Sequence, residues 1–414
     1  MYNPVRKPKD LARSLVDIAR EETDAPIKAC STTVNLILIR LMKVVTSIDE
    51  LRNIQRAFHS DHLLDWHECF DSKVLGNIIA HVSENIDDKE QHNWTLQDDE
   101  DELIELIDKF TSVMVKADER VVLRHLSNFE FLKKLVVLYE VEQRSSVRNA
   151  VAKALSAACK LSRKITFEML CSNLPVILVQ TNAFKPPLSK LENSSLRLLQ
   201  TLYSTNEKPP QSHNGKFKLG RYYFTPDFLE RMLELVKTGD QNALLFMVNY
   251  NYQFDEDASP VLDILRSHDS LSFGHTLIKH LSKNKNDEDI STLKLIYDIY
   301  VAPNNRELIS SIFYTNDLQV LAVILSQILL ETNVPRKITM ILEIFEEIIR
   351  EEKVSNESIF SSLRTFIKSD SLEESVILKA QSLVPPELLL DELMNEPVEP
   401  FDDPLEQSES TEAT

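Results

Sequence analysis

The chain of 414 residues holds only 5 glycines. A loop that cradles phosphate needs glycines at fixed spacing, and no GxxxxGK[ST], GxGxxG or GxSxG occurs. Cysteine is scarce too. Cys30, Cys69, Cys159 and Cys171 are scattered without CxxC spacing, which predicts reduced thiols in a cytosolic protein. Long apolar runs are missing, because charge interrupts each one within about a dozen residues, so no transmembrane span is expected. The opening MYNPVRKPKD has charge but no apolar stretch behind it to make a signal peptide. A basic excess is missing as well. The net charge of −19 makes the chain a poor candidate for general nucleic-acid binding, which needs cations to neutralise phosphate.

What is present is a continuous supply of apolar, periodic segments. With so few glycines these read as short helices joined by short turns. The spacing predicts helices over 8–21, 25–46, 48–58, 61–70, 73–86, 102–117, 119–127, 129–142, 145–163, 165–182 and 188–203. A second run covers 226–238, 241–252, 259–268, 271–283, 288–301, 304–313, 316–331, 336–351, 356–368 and 371–383. Short helices packed in twos and threes make an all-α, armadillo/HEAT-like superhelical stack, with no fixed sequence period. The expected organisation is one helical domain over 1–385 and an acidic, largely disordered tail over 386–414. The tail holds ten acidic residues and no Lys or Arg, and so supplies −10 of the −19. Residues 205–224 carry two glycines and a Pro pair and are the candidate internal boundary. Residues 87–101, DDKEQHNWTLQDDED, read as an acidic loop.

The most apolar stretch is 311–331. Ten of the thirteen residues from Leu318 to Leu330 are apolar. Gln319, Ser326 and Gln327, seven or eight apart, form one narrow polar stripe. The expectation is a central helix buried on nearly all sides, its first turn capped by Thr315, Asn316 or Asp317.

Four segments resemble a known family in order along the chain: LLFMVNYNYQF at 244–254, LKLIYDIY at 293–300, FYTNDLQVLAVILSQIL at 313–329 and EIFEEIIR at 343–350. They look like the leucine-rich domain of the WISH/DIP family, which includes the Nck-interacting protein with SH3 domain and its fungal relatives. The resemblance covers roughly 225–352 well and 10–224 faintly. It implies an armadillo-like domain that binds and activates the actin-related protein 2/3 complex without a preformed filament and nucleates linear filaments. Actin is then an indirect partner, and the implied location is the cytoplasm, at cortical actin and endocytic sites. This chain lacks the SH3 domain and Pro-rich region of the animal members, and its acidic tail has no Trp. From the residues alone, a generic armadillo/HEAT adaptor in trafficking or signalling, with no effect on actin, stays open, and so does a homodimer.

No catalytic or metal constellation stands out, and no cofactor or enzymatic activity is expected. His62, His67 and Cys69 are close in sequence, but spacings of five and two do not share a helix face. His275 and His280 have no evident acid and nucleophile partners and read as surface or packing residues. Glu346 and Glu347 fall on the wet face of an amphipathic helix. Asn249, beside Tyr250 and Tyr252, reads as a turn-tying amide. Two basic clusters interrupt the acidic background. Arg148, Lys153, Lys160, Arg163 and Lys164 lie in a stretch without acid from Val147 to Ile165. Lys216, Lys218 and Arg221 lie beside Phe217, Tyr222 and Tyr223. Basic residues interleaved with aromatics resemble a nucleic-acid surface. A solvated helix face is the plainer reading of both clusters, but Arg and Tyr together also suit a protein interface. The candidate partner-binding residues are therefore Arg148, Lys153, Lys160, Lys164, Lys216, Lys218 and Arg221. Ala150, Ala152, Ala154, Ala157 and Ala158 predict close helix–helix approach on the same segment.

Overall fold

Hydroxyls, carboxylates and prolines place several of the helix starts. Ser189 and Glu192 form a reciprocal capping box. Thr225 caps a helix whose first residue is Pro226, where a missing N–H costs nothing. The Asp240 carboxylate accepts from the amides of Asn242 and Ala243. Ser259 caps the helix opening with Pro260. Gly239 supplies one helix stop. At φ +94° it lets Asp240 N–H reach the Leu235 carbonyl and its own N–H reach that of Val236, the paired bonds of a Schellman ending.

The structure is a computed structural model and describes residues 8–43, 49–58, 69–91, 100–205, 224–255, 258–284, 290–302, 305–351, 356–368 and 373–388. Among these residues all regular structure is helical. The chain divides into two compact units, Met1–His268 and Asp269–Thr414. This is the all-α stack of short helices that the periodicity predicts.

The first unit contains α1 (Pro8–Thr23), α2 (Ile27–Met42), α3 (Asp49–Phe58), α4 (Phe70–Gln91), α5 (Glu100–Lys116), α6 (Glu119–Leu126) and α7 (Glu130–Val141). It continues with α8 (Ser145–Leu161), α9 (Arg163–Leu170), α10 (Leu174–Gln180), α11 (Lys190–Tyr203), α12 (Pro226–Lys237), α13 (Gln241–Asn251) and α14 (Pro260–Ser267). Side by side run α4, α5, α8, α11 and α13. Helix α8 is the centre of this row. Ala150, Ala152, Ala154 and Ala158 are buried on it, and their small side chains let α5 and α11 close on both flanks.

The second unit contains α15 (Leu271–Lys283), α16 (Ser291–Val301), α17 (Asn305–Ile312), α18 (Thr315–Glu331), α19 (Pro335–Glu351), α20 (Glu357–Ile367) and α21 (Glu374–Leu383). Helices α15, α18 and α20 form one layer, and α16, α19 and α21 form the other. Gly274 on α15 is required by packing. A Cβ there would lie 1.9 Å from the Ile312 carbonyl oxygen at the end of α17.

Several expectations need correction. The segment 165–182 is two helices, because Pro175 opens α10 and disfavours helix just before it. Helix α4 runs to Gln91, into the expected loop; residues 92–99, including Trp94 and Leu96, lie outside the described residues. Helix α18 starts after Tyr314, and no side chain caps it; Asp317 sits in its first turn. Nor is α18 buried on nearly all sides. Val320, Val323 and Leu330 are exposed, whereas Ser326 is buried and donates to the Ser358 carbonyl at 3.4 Å. The neighbours α15, α19 and α20 surround three sides, and where they sit decides which stripe is wet.

The expected boundary at 205–224 falls mostly on residues outside those described. The helices on either side of it share the first unit. Tyr203 of α11 packs edge-on against Phe224, and against Phe246 and Tyr250 of α13, with ring centroids 5.5–5.8 Å apart. The tail beyond Leu388 and the predicted helix over 61–70, up to His or Glu at 67 and 68, also lie outside the described residues.

Candidate protein-binding surfaces

The first basic cluster divides when α8 and α9 form. Lys153 and Lys160, seven residues apart, share an exposed stripe of α8. Arg163 and Lys164 are exposed in the first turn of α9. Cations there oppose the helix dipole by a few tenths of a kcal/mol, so helix stability does not account for them. The Lys164 ammonium lies 5.6 Å from the Phe129 ring centroid. Arg148 parts from the stripe. Its guanidinium carbon is 4.6 Å from the centroid of the Tyr139 ring, and its Nε and Nη2 are buried with no hydrogen-bond partner among the described residues. Tyr139 is itself fixed: its hydroxyl lies 2.7 Å from Ser195 Oγ and accepts from Asn182 Nδ2 at 3.0 Å. Arg148 is thus partly a packing residue, and the solvent-facing cations are Lys153, Lys160, Arg163 and Lys164. Lys216, Lys218 and Arg221 lie outside the described residues.

A second surface was missed by pattern reading. On α18, Val320, Val323, Gln327 and Leu330 face solvent together, followed by Val334. Positions 320, 323, 327 and 330 fall on one arc of a 3.6-residue helix, and Val334 lies in the connection beyond its end. A strongly apolar segment hides such an arc, because its outward residues are as aliphatic as its buried ones. Helix α2 has a similar outward group in Leu36, Ile37 and Leu41.

Near the start of α4 lies a buried polar group. The Arg20 guanidinium of α1 pairs with Asp71 at 3.1 Å, both side chains being almost fully buried. Ser72 Oγ lies 2.9 Å from His125 Nε2, the spacing of a nucleophile and its base. Burial holds His125 below the usual imidazole range, with Arg124 adding to the effect, and pushes the Cys69 thiol up to about 11. The hydroxyl is buried, so the geometry describes an interior tie between α4 and α6. His62 and His67 lie outside the described residues. Among the described residues no group of three or more His, Cys, Asp or Glu is arranged to hold a metal ion.

Two further residues differ from expectation. His275 does have an acid beside it: its Nδ1 is 3.6 Å from Asp317 Oδ1 on α18. The turn after α13 is tied by Asn251, whose Oδ1 accepts from Ser259 Oγ at 2.5 Å, while the buried Asn249 Oδ1 has no hydrogen-bond partner among the described residues. The sequence shows two asparagines two apart; only the position of Ser259 selects between them. Among the described residues no single helix is long and apolar enough to cross a membrane. No family model matches the chain.

Proposed function

We propose that the chain is a helical scaffold that binds and activates the actin-related protein 2/3 complex, nucleating linear actin filaments without a preformed one. The observation that carries this reading is the resemblance to the WISH/DIP family over 225–352. Its four segments lie on α13 and the turn after it, on α16, on α18 and on α19. An all-α stack with exposed cations offers a surface for a protein partner. Activation would be allosteric: the chain binds the filament-like arrangement of the two actin-related subunits more tightly than the splayed one. Moving such an equilibrium from 1:99 to 99:1 takes roughly a 10⁴-fold preference.

Purified chain, actin monomers and the complex, mixed without a WASP-type activator or seed filaments, provide the test. The expected outcome is new, unbranched filaments under the microscope. No filaments, or only branches on existing ones, would leave the generic adaptor as the better reading. An association at cortical or endocytic actin belongs to the same proposal and is read by imaging the tagged chain.

A further inference from the structure

The outward arc of α18 is an apolar face with cations on its α15 flank. Val320, Val323 and Leu330 are 49%, 39% and 48% exposed. On one flank is α15, whose exposed positions include Ser272, His275, Lys279 and Lys283 and which has no Asp or Glu. The contact of His275 with Asp317 brings the exposed side of α15 alongside that of α18. On the other flank is α20, which opens on exposed Glu357 and is followed by exposed Lys368, and α18 itself ends on exposed Glu331.

We propose that this face docks the chain's own C-terminal segment, residues 389–405, LLDELMNEPVEPFDDPL. Two observations support the choice, and neither rests on the actin reading. The first is reach. The described chain ends at Leu388, just after α21, which packs against α20, the neighbour of α18. With helices about 8–10 Å apart, the face is on the order of 20–25 Å from that exit, and 17 residues extend to about 55–60 Å. The second is composition. Leu393, Met394, Val398, Phe401 and Leu405 alternate with six carboxylates, and the segment has no Lys or Arg. Its aliphatic residues suit the arc and its carboxylates suit Lys279 and Lys283. Tethering raises the effective concentration of the segment to the millimolar range, so a shallow contact is sufficient.

A photoreactive benzoyl group on the ring of residue 401 of the full chain reads the contact directly. Irradiation at low micromolar concentration should give adducts within single chains, mapping to α18 and α15. The double variant Val323→Asp/Leu330→Asp should lose these adducts at least tenfold with its melting temperature unchanged. If that variant folds poorly, Leu393→Asp/Met394→Asp, changed only on the segment, should give the same loss. Adducts on other elements, adducts only between chains, no adducts, or adducts unchanged by the segment variant would each overturn the proposal.

Discussion

Helices α8 and α18 are both 17 residues long and both central to their units, yet they meet solvent in opposite ways. Helix α8 is built on alanine and exposes Lys153 and Lys160. Helix α18 is built on leucine and isoleucine and exposes valine and leucine. The total apolar content of a helix therefore does not set the chemistry of its outward stripe. Small residues on α8 draw in α5 and α11 closely, and the remaining arc can be charged. Branched aliphatics on α18 fill the space among α15, α19 and α20, and the same residue types continue onto the free side.

The largest effect that would break this comparison is on α18. Leu321→Asp should destabilise the second unit by about 3–5 kcal/mol, because Leu321 is fully buried and an unpaired charge would be left there. Val320→Asp, one residue away on the exposed arc, should stay within about 0.5 kcal/mol. Urea unfolding of both variants checks this. A folded Leu321→Asp chain would mean that the buried side of α18 has been misassigned.

Next is overpacking on α8. Ala154 is fully buried, and Ala154→Leu should cost about 1–3 kcal/mol, since α5 and α11 would have to move apart. The same measurement reads it, and an unchanged midpoint would deny the close approach. Arg148→Glu should follow at about 1–2 kcal/mol. It removes a cation from the Tyr139 ring and brings a half-buried carboxylate to the ring's negative face.

The smallest effect on stability is expected for Lys153→Glu/Lys160→Glu/Lys164→Glu, within about 0.5 kcal/mol. If these cations meet the actin-related complex, the variant should associate more slowly, and added salt should slow the wild type in the same way. Lys216→Glu/Lys218→Glu/Arg221→Glu is the companion experiment. Wild-type association rates for both variants would move the contact to the later helices, between about 259 and 383.

The docked-segment proposal sharpens the same contrast. It assigns an occupant to the apolar arc of α18, whereas the cationic stripe of α8 remains open to a partner.

Most helix positions were legible because they depend on residues close in sequence. Ser189 with Glu192, Thr225 before Pro226 and Gly239 after Thr238 announce helix ends through bonds spanning a few residues. Periodicity identified the helices because 3.6-residue spacing is a local property. The sequence by itself thus determined an acidic, all-helical chain and where most of its helices begin and end. Tertiary structure alone decided which asparagine meets Ser259, that Arg148 leans on Tyr139, that Ser326 is buried and that Val323 is not. Each of those outcomes depends on which other helix lies beside the side chain, whether the partner is 8 residues away, as Ser259 is from Asn251, or 32, as Ser358 is from Ser326, and a side chain's periodic position cannot say whether another helix lies there to cover it.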